Sequence, residues 1–386
     1  MGIGTRIDDD NLARLEALPI GPIDGIEFVT VRLPFVSPFG TSNHTWTCKE
    51  ALLLQIVSDG LFGWGECVAD PDPFYAYETT TTARHILKDF LLPFVQRGTT
   101  LGALLNQFRR VRGHGMAKAT VENALLDLAA KRADVPLHAL LGYPRKPIMS
   151  GISIGLQDSV EMLLSAVAEA VGTGYHRVKM KIARGRDVEW VRAVRERFPR
   201  IRLMVDANGD YDLDAADHLQ QLDAFNLMMI EQPLSYSDIA RHAHLQRRFT
   251  TPICLDESIH GEADAVTAIE LGACRIINIK QGRVGGLLES IRIARACAAR
   301  GVDVWSGGMD ETGIGRAVNI HLQTADGFTL PGDTSETRRY FREDLVDPPV
   351  SLGQDGFIDV PRGPGIGVIV LSERVARYEL ERERVR

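Results

Sequence analysis

The chain has 386 residues of ordinary composition, 45% hydrophobic and 25% charged, with a formal net charge of −7 at pH 7. That length suits roughly two or three domains, and a mildly acidic chain without basic blocks excludes nucleic acid as an expected partner. No apolar stretch approaches the ~18 residues of a membrane span, and the N-terminus lacks the apolar core of a signal peptide.

Residues 1–22 are polar and acidic and read as a loosely attached extension. Residues 23–147 read as an α+β capping domain. In it Ile26–Leu33 and Ala51–Ser58 are antiparallel strands, the second running through Gly60-Leu61-Phe62-Gly63 into Trp64-Gly65-Glu66, and 79–95 and 101–141 are helical. From 148 to 339 strand and helix alternate. Ser150–Gly155 is a short β-rich run, followed by a helix capped near Asp158 and ended at Gly172 or Gly174. His176–Lys181 is the second strand, and Asp187 caps a helix with Val188, Val191, Val194 and Phe198 on one stripe. Strand Ile201–Asp206 leads to a helix carrying Ala215, Leu219 and Leu222. Strand Leu227–Glu231 leads to one from about Asp238, and Pro252–Asp256 to one stopped by Gly272. Strand Arg275–Lys280 precedes a helix, Leu287–Arg300, ended by Gly301; Val302–Trp305 is the seventh strand and Phe328–Leu330 a short eighth. Such a series predicts an α/β fold, a (β/α)8 barrel of the TIM type. The tail 340–386 (Phe357–Val360, Gly367–Leu371) is expected to return to the capping domain and complete it.

Four of these strands end on a charge. Asp206, Glu231, Asp256 and Lys280 follow one another at intervals of 25, 25 and 24 residues, about the length of one βα unit. Equal repeats put them at the same, C-terminal end of successive barrel strands, where barrel enzymes keep their catalytic groups. Three carboxylates in one cavity need a cationic partner, and as hard oxygen donors they suit Mg²⁺. Lys179 and Lys181 share one face of the second strand, and Lys280 approaches from the opposite wall. Two lysines facing across a substrate can remove a proton from the carbon next to a carboxylate and return it. Crowding by cations would lower a lysine pKa towards that task.

Lys179-Met180-Lys181, Asp206-Ala207-Asn208, Glu231-Gln232-Pro233, Asp256-Glu257-Ser258 and Lys280 resemble the muconate lactonizing enzyme subgroup of the enolase superfamily. The runs from Gly307 to Ala317 and from Gly327 to Asp333, with Trp64-Gly65-Glu66-Cys67-Val68-Ala69, resemble the o-succinylbenzoate synthase/N-succinylamino acid racemase family within it. The resemblance implies proton abstraction alpha to a carboxylate through an enediolate. Lys181 and Lys280 would be the acid/base pair, and Asp206, Glu231 and Asp256 would hold Mg²⁺, for which Mn²⁺ can substitute. Lys179, Ser153, Asn208, Ser306, Gly307, Gly308 and Met309 would meet the substrate. Arg283 would tune Lys280, and the 34–41 and 70–77 loops would close over the pocket. A lyase acting in menaquinone biosynthesis, a racemase of N-acylamino acids, or both, is the implied activity, in a cytoplasmic homo-oligomer acting on small carboxylates. Dipeptide epimerisation or another muconate-lactonizing-like lyase or isomerase is the alternative, and a non-enzymatic barrel is disfavoured; epimerisation normally uses two aspartates at the eighth strand, where Gly332-Asp333-Thr334 supplies one.

Asp310 departs from the family, which carries an apolar residue there. It is expected to point outward and pair with a neighbour; inward, it would repel an anionic tail or attract a cationic one. Gly282-Arg283-Val284-Gly285-Gly286 lacks the order of a dinucleotide loop, and no histidine closes the seventh strand, against a histidine base there. The five scattered cysteines include no CxxC and read as reduced thiols.

Overall fold

The computed structural model describes residues 3–42 and 44–385. The polar N-terminus forms a helix, α1 (Ile3–Glu16), and it is docked. Leu12 and Leu15 are buried, and Glu16 pairs with Arg292 of a later helix. A two-leucine stripe is too thin to stand out in the sequence, which is why this segment read as loose. Next come β1 (Gly25–Gly40), β2 (Thr45–Ser58) and β3 (Leu61–Cys67), an antiparallel meander. The expected loop at 34–41 is instead the far end of the β1–β2 hairpin: Pro34 stands opposite Cys48, and Phe39 opposite Trp46, around an irregularity in the register. Of the helices α2 (Thr80–Ile86), α3 (Leu101–Phe108), α4 (Gly115–Arg132) and α5 (Leu137–Leu141), α4 and α2 pack on this sheet, α3 packs against α1, and α5 against α1 and α4. The backbone of β3 lies directly on α4, because a Cβ at Gly65 would sit 2.0 Å from the Thr120 carbonyl oxygen.

Then follow β4 (Ile148–Met149), β5 (Gly151–Ile154), α6 (Val160–Thr173), β6 (Arg177–Lys181), α7 (Val188–Arg197), β7 (Leu203–Asp206), α8 (Ala216–Leu219) and β8 (Ile230–Glu231). After these come α9 (His242–Arg248), β9 (Ile253–Leu255), α10 (Glu262–Leu271), β10 (Ile276–Ile279), α11 (Gln281–Val284), α12 (Leu287–Ala298), β11 (Asp303–Ser306) and α13 (Gly313–Leu322). Ser159, not Asp158, caps α6, and the helix expected from Asp238 starts four residues later. Strands β5 to β11 form one seven-stranded parallel sheet in chain order. The eighth strand is not regular. Phe328 makes a single parallel bridge to Val304 and Gly332 one to Ser150, so the 328–332 segment touches both edges of the sheet. Pro331 has no N–H to give a ladder, which accounts for the irregularity.

The tail holds β12 (Val346–Asp347), β13 (Phe357–Ile358), β14 (Ile369–Val370), α14 (Ser372–Tyr378) and β15 (Glu379–Arg384). β15 adds to β1 in the first sheet, whereas Phe357–Ile358 pairs with β4 beside the barrel. The latter differs from the expectation, since Ile148, Ile320, Val350, Ile358 and Val360 make a separate apolar cluster there. Among the described residues no helix is long and apolar enough to cross a membrane.

Gly65→Ala forces a methyl group into the Thr120 carbonyl and is expected to destabilise the fold by about 2 kcal/mol. A fall in the denaturation midpoint at constant slope checks this; an unchanged midpoint would mean that β3 can lift from α4 freely.

Candidate active site

The barrel interior is layered by the two-residue period of its strands. Met204, Met229, Cys254, Ile276 and Trp305 pack together as an apolar floor. Two residues further along β7, β8, β9 and β10, the same inward face presents Asp206, Glu231, Asp256 and Asn278, and Lys280 comes two residues after Asn278. On β6 the inward positions are Arg177, Lys179 and Lys181, all buried, while Val178 and Met180 join the main core. The Arg177 guanidinium and the Lys179 ammonium lie over the Trp305 ring, at 4.8 and 5.0 Å from its centroid.

Each cation in this layer faces a carboxylate. Lys181 Nζ lies 2.6 Å from Asp206 Oδ2 and donates to Asn208 Oδ1 at 2.6 Å. Lys179 Nζ lies 3.3 Å from Asp206, 3.2 Å from Glu231 and 2.7 Å from Asp333, which also pairs with Arg177 at 2.7 Å. Lys280 Nζ lies 2.9 Å from Asp256 Oδ2 and donates to the Tyr75 hydroxyl at 2.8 Å. Arg283 pairs with the other Asp256 oxygen and donates to Tyr75 at 3.2 Å. Asn278 Nδ2 donates to Glu231 Oε1 at 2.6 Å, and Asn208 Nδ2 to Glu257 Oε1 at 2.8 Å.

These contacts set the ionisation. Burial first, then repulsion from Asp206, pushes Glu231 well above the ordinary carboxylate range. Burial opposes ionisation of Asp256, but the Arg283 and Lys280 charges outweigh it and hold its pKa low. Burial and the adjacent Asp256 raise Glu257 to about 7. Lys280 is not lowered as the crowding of cations would suggest. Burial acts in that direction, but Asp256 outweighs it and holds the ammonium well above its usual value.

The donor set suits a hard divalent cation in kind: three oxygen-only carboxylates lie on adjacent strands, Asp206 directly opposite Glu231. Asp256 Oδ2 also lacks a hydrogen bond of good geometry. With ammonium and guanidinium groups between the carboxylates, no three His, Cys, Asp or Glu side chains among the described residues stand at metal-binding spacing.

A pocket opens above this layer. Lys179, Lys181, Lys280, Ser153, Asn208, Gly308, Met309 and Asp310 line it, together with Tyr75, Trp46 and Lys49 from the sheet module. Ser306 is buried outside this lining, and Gly307 packs against Asn278, where a Cβ would lie 2.3 Å from Oδ1. Asp310 does not point outward as expected. At φ 55° it turns in the left-handed region, so its carboxylate faces the pocket while Glu311 folds beneath, accepting from Met309 N at 3.0 Å and Asn319 Nδ2 at 2.8 Å. Sequence reasoning assigned no role to Asn278, which the strand period would have found on the same face as Lys280. Tyr75 was expected only as part of the closing 70–77 loop, and Asp333 only as the single aspartate of the epimerase alternative; their contacts with Lys280, Arg283, Arg177 and Lys179 come from the fold.

Two family models match the chain: "Mandelate racemase / muconate lactonizing enzyme, N-terminal domain" over residues 25–142, and "Enolase C-terminal domain-like" over 162–374. An o-succinylbenzoate synthase of Geobacillus kaustophilus is 48% identical, covering 92% of this chain and 96% of its own. An N-succinylamino acid racemase of an Amycolatopsis species is 45% identical over 91% and 96%. A crystal structure of an enolase superfamily member from Listeria innocua superposes with a TM-score of 0.90 at 39% identity, covering 94% and 98%.

Asp333→Asn would leave Arg177 and Lys179 buried beside one carboxylate fewer, and is expected to cost about 3 kcal/mol of stability. Urea denaturation measures it. A midpoint equal to that of the parent would show that Asp206 and Glu231 can absorb both charges.

Proposed function

Because the chain belongs to the enolase superfamily, in its mandelate racemase/muconate lactonizing enzyme branch, we propose that it removes the proton alpha to a substrate carboxylate and passes through an enediolate. The product is o-succinylbenzoate, formed by dehydration, a racemised N-succinylamino acid, or both. The observation that carries this reading is the placement of Lys181 on β6 and Lys280 after β10, four strands apart and lining one pocket. The names and identities of the relatives support it.

In this reading Asp206, Glu231 and Asp256 hold Mg²⁺, or Mn²⁺ in its place, and the ion when bound supplies positive charge that stabilises the enediolate. Lys179 helps neutralise the substrate carboxylate, and Ser153, Asn208, Gly308 and Met309 shape its surroundings. Lys181 and Lys280 move the proton. Lys280 loses the field that keeps its pKa high once Asp256 is engaged elsewhere, which readies it as a base. Arg283 acts on Lys280 through the Asp256 and Tyr75 that both of them touch. In racemisation one lysine takes the α-proton and the other delivers one to the opposite face. In dehydration of 2-succinyl-6-hydroxy-2,4-cyclohexadiene-1-carboxylate, Lys181 takes the α-proton and then protonates the departing hydroxyl, so water leaves and the ring becomes aromatic. Lys280 stays protonated as a fixed charge. The lyase role fits menaquinone biosynthesis and a small carboxylate substrate, and a cytoplasmic homo-oligomer is proposed alongside it. Dipeptide epimerisation is disfavoured by one observation: Asp333, the aspartate available to a free ammonium, already pairs with both Arg177 and Lys179.

Chelation is expected to abolish activity and Mg²⁺ or Mn²⁺ to restore it. Glu231→Gln removes a charge and a ligand with little change in fold, so the rise in melting temperature caused by Mg²⁺ should disappear. A Mg²⁺-dependent rise that survives Glu231→Gln would remove Glu231 from the metal site.

Each enantiomer of an N-succinylamino acid should exchange its α-proton in D₂O with the parent enzyme, as read by NMR. Lys181→Ala should abolish exchange from one enantiomer and Lys280→Ala from the other. Racemisation persisting in either variant would show that another residue supplies the proton.

A further inference from the structure

Asp310 has no part in the proton transfer just described, and its surroundings point to a different role. Its carboxylate lines the pocket, yet among the described residues it has no hydrogen bond or ion pair. The groups that act on it electrostatically are Lys49, Asp70, Glu311 and Arg339. Lys49 is already engaged, 2.9 Å from Asp70 Oδ1 and donating to the Val68 carbonyl at 3.1 Å. Arg339 donates to the Ser153 carbonyl at 3.1 Å. Both nearby cations are thus engaged with other partners, and neither is within ion-pair distance of Asp310.

The backbone holds the charge where it is. A residue at φ 55° is strained unless its surroundings enforce the turn, and here the hydrogen bonds of Glu311 to Met309 and Asn319 enforce it. Trp46, Phe35, Phe39 and Tyr340 line the same pocket. Aromatic rings beside a carboxylate receive an alkyl stem that ends in a cation and disfavour one that ends in an anion.

We propose that Asp310 determines specificity by accepting a cationic tail, an ammonium or guanidinium, so that N-acylated basic amino acids are preferred over acidic ones. The inference rests on the racemase reading above. A cationic tail gives Asp310 the ion pair it lacks, whereas an anionic tail sets a second negative charge beside it in a site partly closed to water.

The test compares kcat/KM of the Mg²⁺-loaded enzyme on N-acetyl derivatives of arginine, lysine, norleucine and glutamate, with α-deuterium exchange as the readout. Asp310→Asn is the variant, because asparagine tolerates left-handed φ and removes only the charge. The parent should favour arginine and lysine over glutamate by on the order of tenfold or more, and added salt should compress that ratio. In Asp310→Asn the ratio should fall about tenfold, through slower arginine and lysine and faster glutamate, with norleucine least affected. A parent without charge preference that still exchanges norleucine, or a ratio unchanged by Asp310→Asn, would overturn the proposal and leave the proposed function standing. Absence of exchange from every derivative and from N-succinyl substrates would overturn the proposal together with the racemase reading it rests on.

Discussion

Burying charge at the mouth of the barrel is the constraint on which the remainder depends. Arg177, Lys179, Lys181, Lys280 and Arg283 face Asp206, Glu231, Asp256, Glu257 and Asp333, all of them buried. Removing ions from water costs several kcal/mol each unless partners of good geometry stand ready. The partners are ready because parallel strands in matched register deliver them at one height, with Lys181 opposite Asp206 and Asp206 opposite Glu231. The apolar floor beneath is part of the same solution. Trp305 closes the barrel below the charged layer and offers its ring face to two of the cations.

The module that covers the barrel contributes chemistry as well as a roof. Tyr75 reaches across to touch Lys280 and Arg283 together. Two buried glutamates of the same module serve barrel helices. Glu66 accepts from Thr312 N, the Thr312 hydroxyl and Gly315 N at the start of α13. Glu122 of α4 accepts from Leu288 N in the first turn of α12, whose cap residue, Gly286, has no side chain to offer. Backbone donors at a helix start need acceptors, and a carboxylate there gains from the helix dipole as well.

The charged strand ends were legible because a βα unit has a nearly fixed length, so Asp206, Glu231, Asp256 and Lys280 mark a period that no other arrangement explains as simply. The lysine pair on β6 was legible for a similar reason, the two-residue period of a strand. What stayed hidden depended on contacts between distant segments. The N-terminal helix buries two leucines that a polar stretch conceals, and the 34–41 arm continues a strand through a proline that reads as a break. Phe328–Leu330 read as a strand, yet Pro331 leaves it only single bridges to its neighbours. Asp310 was misread because its direction follows from Glu311, which takes the inner position and turns the preceding residue towards the pocket.

The placement of Glu66 and Glu122 bears on how such a protein can be rebuilt. A chimera that joins this sheet module to a foreign barrel, with the aim of importing its pocket wall, also exchanges the acceptors at the starts of two host helices. A donor module with apolar residues at those two positions would strand buried amide groups in the host, however well its surface fitted. The transplantable unit is therefore the module together with the helix starts it serves, Thr312–Gly315 and Gly286–Leu288, and a graft whose boundary ran between them would separate each carboxylate from its amides.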